Sequence, residues 1–129
     1  MFDADYLKKN LDFEDYIFFE SIDSTNEFLT DFIKRKKTSA LAASVIQTQG
    51  RGRFDRKWSS AEGGLYFSFT QKAGDLDYNL QLFPIVCAMG VHSFLKSSGL
   101  PLLSYRWPND ILVKDKKISG ILLEMIDDI

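Results

Sequence analysis

The stretch LLSYRWPNDILVKDKKISGILLEMI, residues 102–126, decides the fold class. Its branched and aromatic runs are cut twice by polar clusters. Leu102 to Trp107 is predicted as a strand, Pro108-Asn109-Asp110 as a turn and Ile111 to Val113 as a second strand. Lys114 to Lys117 follows as a tight turn, and Ile118 to Ile126 as a last strand. Strands joined this closely pair antiparallel, since a parallel pair needs a crossover of a dozen or more residues. A meander at this end favours a mixed sheet over a doubly wound nucleotide fold.

Moving toward the amino terminus, residues 80–98 place Leu82, Ile85, Val86, Met89 and Leu95 at near-helical spacing, with Pro84 acceptable in a first turn and Gly99 as the stop. Leu65 to Thr70 and Leu41 to Gln47 read as strands, the former with Leu65, Phe67 and Phe69 alternating against Tyr66, Ser68 and Thr70. Ser24-Thr25-Asn26-Glu27 has the spacing of a capping box and opens a helix that runs to about Lys36, with Lys34 to Lys37 at its negative dipole end. Residues 1–23 are expected to be an acidic lead followed by a strand around Tyr16 to Phe19. The predicted class is α+β: a mixed, largely antiparallel β-sheet covered by helices, with residues 1–129 as one unit.

Composition narrows the function. With 129 residues, 45% of them hydrophobic, the chain can bury a core. Sixteen basic residues against eighteen acidic ones give a net charge of −2. The pI of about 5.3 excludes a broad nucleic-acid face, so any affinity for phosphate must be local. The single cysteine, Cys87, cannot form an internal disulfide, and no His and Cys group has metal-ligand spacing, so no metal residue is assigned. The lone histidine, His92, receives no role. The acidic amino end lacks a secretory pattern, and charges interrupt the apolar runs, so a cytoplasmic protein outside the membrane is expected.

Two clusters can carry chemistry. Gly50-Arg51-Gly52-Arg53-Phe54-Asp55-Arg56-Lys57-Trp58 packs four positive charges and two glycines into nine residues after a strand. Glycines permit close backbone approach to an anion, and Arg forks bind phosphate or carboxylate oxygens. Like charges loosen such a loop until an anion neutralises them, which suits a lid. A solvated basic turn is equally compatible with these residues taken alone. The second cluster joins Trp107-Pro108-Asn109-Asp110 to Lys117-Ile118-Ser119-Gly120 across a hairpin, although Asn and Asp also build turns for purely structural reasons.

Taken together and in order, these motifs resemble the catalytic core of the biotin protein ligases, also called biotin-[acetyl-CoA-carboxylase] ligases. The resemblance rests on Ser24 to Asn26, Gln47, Gly50 to Trp58, Gly63 to Ser68, Trp107 to Asp110 and Lys117 to Glu124, and spans roughly residues 17–126. It implies that biotin attacks the α-phosphate of ATP to give biotinyl-5'-AMP, and that a lysine of a biotin carboxyl carrier protein of acetyl-CoA carboxylase or a related carboxylase then takes the acyl group. Mg²⁺ is implied as part of the ATP complex.

Carried over by motif, Lys117, Arg53 and Arg51 are the catalytic residues. Ser24, Thr25, Gln47, Gly50, Arg51, Trp58, Lys117 and Gly120 bind biotin, and Arg53, Arg56, Asn109 and Asp110 meet the nucleotide. The family usually continues into a Gly-rich strand and helix and then a small β-barrel, which this chain is expected to lack. Neither the winged helix of its repressor members nor DNA binding is expected, while a homodimer is admitted. Arg106 stands where many members have Lys. A lipoate ligase or octanoyltransferase, and a non-catalytic biotin-binding module, are the competing readings.

Overall fold

Asp3 opens a helix that the acidic lead conceals. In the computed structural model, which describes residues 2–77 and 79–126, its Oδ1 accepts from Tyr6 N at 2.9 Å. Helix α1 (Ala4–Asn10) follows, with Asp5 in its first turn and Lys8 and Lys9 in its last. The lead is therefore not all irregular: cap and dipole charges suffice to start a short helix there.

The chain forms two compact units, one from the residues up to Gln71 and one from Lys72–Met125. In the first, β1 (Asp15–Ile22), α2 (Thr25–Lys36) and β2 (Ala40–Gln47) make a parallel crossover, and β3 (Tyr66–Phe69) adds antiparallel to β2. Helix α2 covers one face. Leu29, Ala40 and Ala42 are buried there, with Ile17, Phe19, Phe28 and Phe32 packed against them. Alanines at the strand positions leave room for the helix to lie close. The predicted alternation in β3 holds, but its aromatic side is the open one, with Phe67 45% and Phe69 41% exposed.

In the second unit, a short 3-10 turn, Leu80–Leu82, leads into α3 (Phe83–Ser97), which has Pro84 in its first turn. Gly99 (φ 86°) ends it in the left-handed conformation that closes many helices. The stretch Leu80–Ser97 has the length and mean hydropathy of a membrane-crossing helix, contrary to the expectation from charge breaks. Its α-helical part is 15 residues, so it rises only about 22 Å, against the roughly 30 Å of a bilayer's hydrocarbon core.

The meander is present as β4 (Leu103–Arg106), β5 (Asp110–Val113) and β6 (Lys116–Gly120), all antiparallel. Two boundaries differ from the expectation. The second turn needs only Lys114 and Asp115, both at positive φ (48° and 65°), the geometry whose twist matches a tight hairpin. The last strand stops at Gly120 instead of running to Ile126. Its partner β5 is four residues long, and Asp110 is paired with Gly120; among the described residues the backbone bond from Ile121 N to Asn109 O at 3.1 Å extends the ladder by one step. The observed class is α+β, as predicted, but the strands form one mixed and one antiparallel sheet in place of a single mixed sheet.

Candidate functional site

The parallel crossover brings the start of α2 and the end of β2 to one edge of the sheet, with Ile22 and Gln47 in register. Open sheets bind ligands at such carboxyl ends of strands. Ser24 and Thr25 are each 3% exposed. Ser24 Oγ accepts from Glu27 N at 3.4 Å, the first half of the predicted capping box. Gln47 Oε1 accepts from Thr25 N at 2.8 Å and from Thr25 Oγ1 at 3.1 Å. Thr25 Oγ1 lies 2.8 Å from Ser68 Oγ. Since the single Thr25 hydroxyl hydrogen goes to Gln47, Ser68 donates to Thr25. Gln47 Nε2 donates one hydrogen to Ser60 Oγ at 3.0 Å. Among the described residues, the Ser24 hydroxyl hydrogen, the second hydrogen of Gln47 Nε2 and the lone pairs of Ser68 are left unused by the hydrogen bonds above.

The basic loop is a hairpin. Trp58 N donates to Gly50 O at 2.8 Å, Gly52 N donates to Arg56 O at 2.7 Å, and Arg51 bridges Lys57. Gly50 is buried at its base, where a Cβ would lie 2.6 Å from both Ser60 Oγ and Trp58 O. No side chain fits there without moving backbone. At the tip, Phe54 and Asp55 both take positive φ (57° and 55°). Phe54 is 79% exposed, and the Arg53 guanidinium lies 4.9 Å from its ring centroid. Arg51, Arg53, Arg56 and Lys57 are all exposed, and Trp58 is half-buried.

Within the second unit, the meander gathers the other predicted residues. Lys117 Nζ stands 2.8 Å from Asp110 Oδ1. Arg106 puts Nε at 3.2 Å and Nη2 at 3.0 Å from Oδ2. Oδ1 is buried, and the Lys117 ammonium meets it as a close, charge-assisted partner. Burial opposes ionisation of Asp110, but Lys117 and then Arg106 outweigh it and hold the carboxyl below the usual carboxylate range. The Lys117 side chain stays 33% exposed. Asn109 Nδ2 donates to Ile121 O at 2.7 Å, so this amide also ties down the end of the meander. Gly120 lies opposite Asp110.

Beside Asp110, a pocket of about 410 Å³ is lined by Ile85, Met89, Tyr105, Arg106 and Trp107 among others. His92 stacks on Tyr105 at 4.5 Å, a packing role. Burial pushes the half-buried Cys87 thiol up, which keeps it protonated and a poor nucleophile.

Three residues of these clusters had no role in the sequence reading: Ser60, Ser68 and Arg106. Ser68 stands in the run Gly63 to Ser68, but alternation with Phe67 and Phe69 would have turned those apolar side chains inward and Ser68 out, so its inward side was not readable. Arg106 was visible only as a substitution. Ser60 carries no sequence signal, because its place depends on the hairpin closing back on Gln47.

Residues 18–128 match the biotin/lipoate A/B protein ligase family. The chain is 31% identical over 126 residues to the bifunctional ligase/repressor BirA of Salmonella typhimurium, covering 97% of this chain and 39% of that one. Its fold superposes with a TM-score of 0.80 on the biotin acetyl coenzyme A carboxylase synthetase of Helicobacter pylori solved with biotinylated ATP. That match has 26% identity and covers 88% of this chain and 56% of the other. A biotin protein ligase from Aquifex aeolicus in complex with biotin and ATP gives a TM-score of 0.72 at 37% identity, covering 90% of this chain and 49% of that one. The chain thus spans between two-fifths and just over half the length of these relatives.

Proposed function

The chain belongs to the biotin/lipoate A/B protein ligase family, and from that membership we propose that it carries the acid-activating core of a biotin protein ligase. In this reading the biotin carboxylate attacks the α-phosphate of ATP, forming biotinyl-5'-AMP and releasing pyrophosphate. The acyl group then passes to a lysine of a biotin carboxyl carrier protein of acetyl-CoA carboxylase or a related carboxylase. Cytoplasmic action accords with a lone, protonated Cys87.

The observation that carries the reading is the part-buried polar knot of Thr25, Gln47 and Ser68 beside the buried Ser24. A ureido ring offers one carbonyl acceptor and two N–H donors. The Ser24 hydroxyl and Gln47 amide supply donors, and Ser68 supplies acceptor lone pairs. The dithiolane ring of lipoate offers no such partners, and burying these groups under it would leave them unsatisfied at a cost of about 1–3 kcal/mol each. This supports biotin over lipoate.

Bringing a carboxylate to a phosphate joins two anions, so cations must neutralise them as charge builds. Lys117 is the residue assigned to the acyl-phosphate junction. Asp110 holds its ammonium in place, and Arg106 shares that carboxylate, leaving the trio one net positive charge. Arg51, Arg53 and Arg56 on the hairpin are assigned as further cations for the anionic groups, with Gly50 and Trp58 forming the base over biotin. Asn109 and Asp110 stand on the nucleotide side and Gly120 leaves room for the ligand. Mg²⁺ enters as the ATP complex with phosphate oxygens as its main ligands. Among the described residues no group of three or more His, Cys, Asp or Glu side chains is placed to hold a metal.

Isothermal titration of the 129-residue chain with biotin, then with a non-hydrolysable biotinyl-adenylate analogue, tests the proposal. Binding of both, with the analogue tighter, is expected. A folded chain that binds neither would overturn the reading for this polypeptide.

A further inference from the structure

We propose that Ser60 is a positioning residue that couples the Gln47 side chain to closure of the 50–58 hairpin; the proposal rests on the biotin reading in taking a ligand to be what Gln47 meets. Ser60 is 4% exposed and grips Gln47 twice. Its carbonyl accepts from Gln47 N at 3.1 Å, and its Oγ accepts from Gln47 Nε2 at 3.0 Å. Its hydroxyl hydrogen points the other way, to Trp58 O at 3.4 Å. Trp58 is the residue whose amide closes the hairpin on Gly50.

The direction of this chain is determined by its neighbours. Gln47 Oε1 is committed to Thr25 N and Oγ1, so the end of the amide that faces Ser60 is the donor. Ser60 Oγ must therefore accept from it, and its only hydrogen is left for Trp58. The hydroxyl thus has one partner in the ligand-reading group and one in the hairpin base. The junction is also crowded, since a Cβ at Gly50 would meet Ser60 Oγ and Trp58 O at 2.6 Å and Gln47 Nε2 at 3.2 Å. Gly50, Gln47, Ser60 and Trp58 therefore meet at one close junction.

The outer link has slack. At 3.4 Å it is long beside the usual O–H···O distance of about 2.7–2.8 Å. When a ligand takes the second hydrogen of Gln47 Nε2 and holds the amide, Ser60 is held with it, and the bond to Trp58 O shortens. The hairpin base then tightens, and the four cations beyond it close over the acid.

Limited trypsin digestion of the full chain reads this directly, because Arg51, Arg53, Arg56 and Lys57 are four cleavage sites inside the hairpin. Biotin at saturation is expected to slow hairpin cleavage about tenfold in the natural chain, within the range that such coupling networks carry. Ser60→Ala is expected to bind biotin in a parallel titration yet lose that protection. A variant that binds biotin and keeps the natural protection ratio overturns the proposal. Where Ser60→Ala fails to fold or to bind, Ser60→Cys, which keeps the size but makes only weak hydrogen bonds, is read in the same way.

A ligand-free cycle separates this proposal from the biotin reading. Gln47→Ala is expected to accelerate hairpin cleavage in the natural chain but not on top of Ser60→Ala. Additive effects would mean that Ser60 acts only as local structure. If the natural chain neither binds biotin nor gains protection, the biotin reading fails, while the cycle still decides whether the coupling exists.

Discussion

Lys117 opens the run Lys117-Ile118-Ser119-Gly120, yet its surroundings come from residues seven and eleven positions earlier, Asp110 and Arg106. Arg in place of the usual Lys is not a neutral exchange here. Its Nε and Nη2 both reach Oδ2, a fork that an ammonium cannot make, which leaves Oδ1 to Lys117. Lys117→Ala is expected to lower biotin-dependent ATP–pyrophosphate exchange by about 10²–10³-fold, while biotin binding by titration weakens far less. Equal losses in both would contradict a role in stabilising developing charge. Asp110 also sets an acid limit. Its folded pKa is lowered, so its contribution to stability is complete above the ordinary carboxylate range and fades as pH falls through the folded value. Asp110→Asn should flatten the acid limb of stability followed by circular dichroism, and an unchanged limb would assign the acid transition to other carboxylates.

Helix α2 positions the ligand knot because both its ends are specified locally. Ser24 caps one end, and Lys37 ends the other in the left-handed region, with φ 57° and its amide bonded to Ile33 O. A non-glycine residue costs about 1–2 kcal/mol there, while glycine adds roughly 0.5–1 kcal/mol of backbone entropy to the unfolded chain. Lys37→Gly should therefore stabilise the chain by about 0.5–1 kcal/mol, read as a higher Tm. A lower Tm would show that the Lys37 side chain contributes more than its strained backbone costs. The helix boundaries were legible because caps and breakers act between near neighbours in sequence. The end of β6 was not, because a strand lasts only as long as its partner, and the apolar run Ile121-Leu122-Leu123 reads as strand until β5 is seen to be four residues long.

Across the whole chain, a net charge of −2 coexists with local cations at the hairpin and at Lys117, so anion affinity is a matter of placement and not of bulk charge. A thermal shift separates the biotin reading from the lipoate one. Biotin at 100 times its dissociation constant should stabilise the chain by about 2.7 kcal/mol, whereas a shift with lipoate alone would reverse the choice. The class α+β, the meander, the capped α2 and the membership implied by six motifs in register were all readable from the order of residues. Each depends on periodicity, turn chemistry or spacing along the chain. The exposed side of Phe67 and Phe69, the fork of Arg106 on Asp110 and the grip of Ser60 on Gln47 were not. Those depend on which sheet face the helix covers, on how the hairpins close and on which hydroxyl hydrogen is already committed. Arg106 and Asp110 are only four residues apart and Gln47 and Ser60 thirteen, yet spacing alone does not set such contacts, because they form only once the folded turns bring the side chains within hydrogen-bond reach.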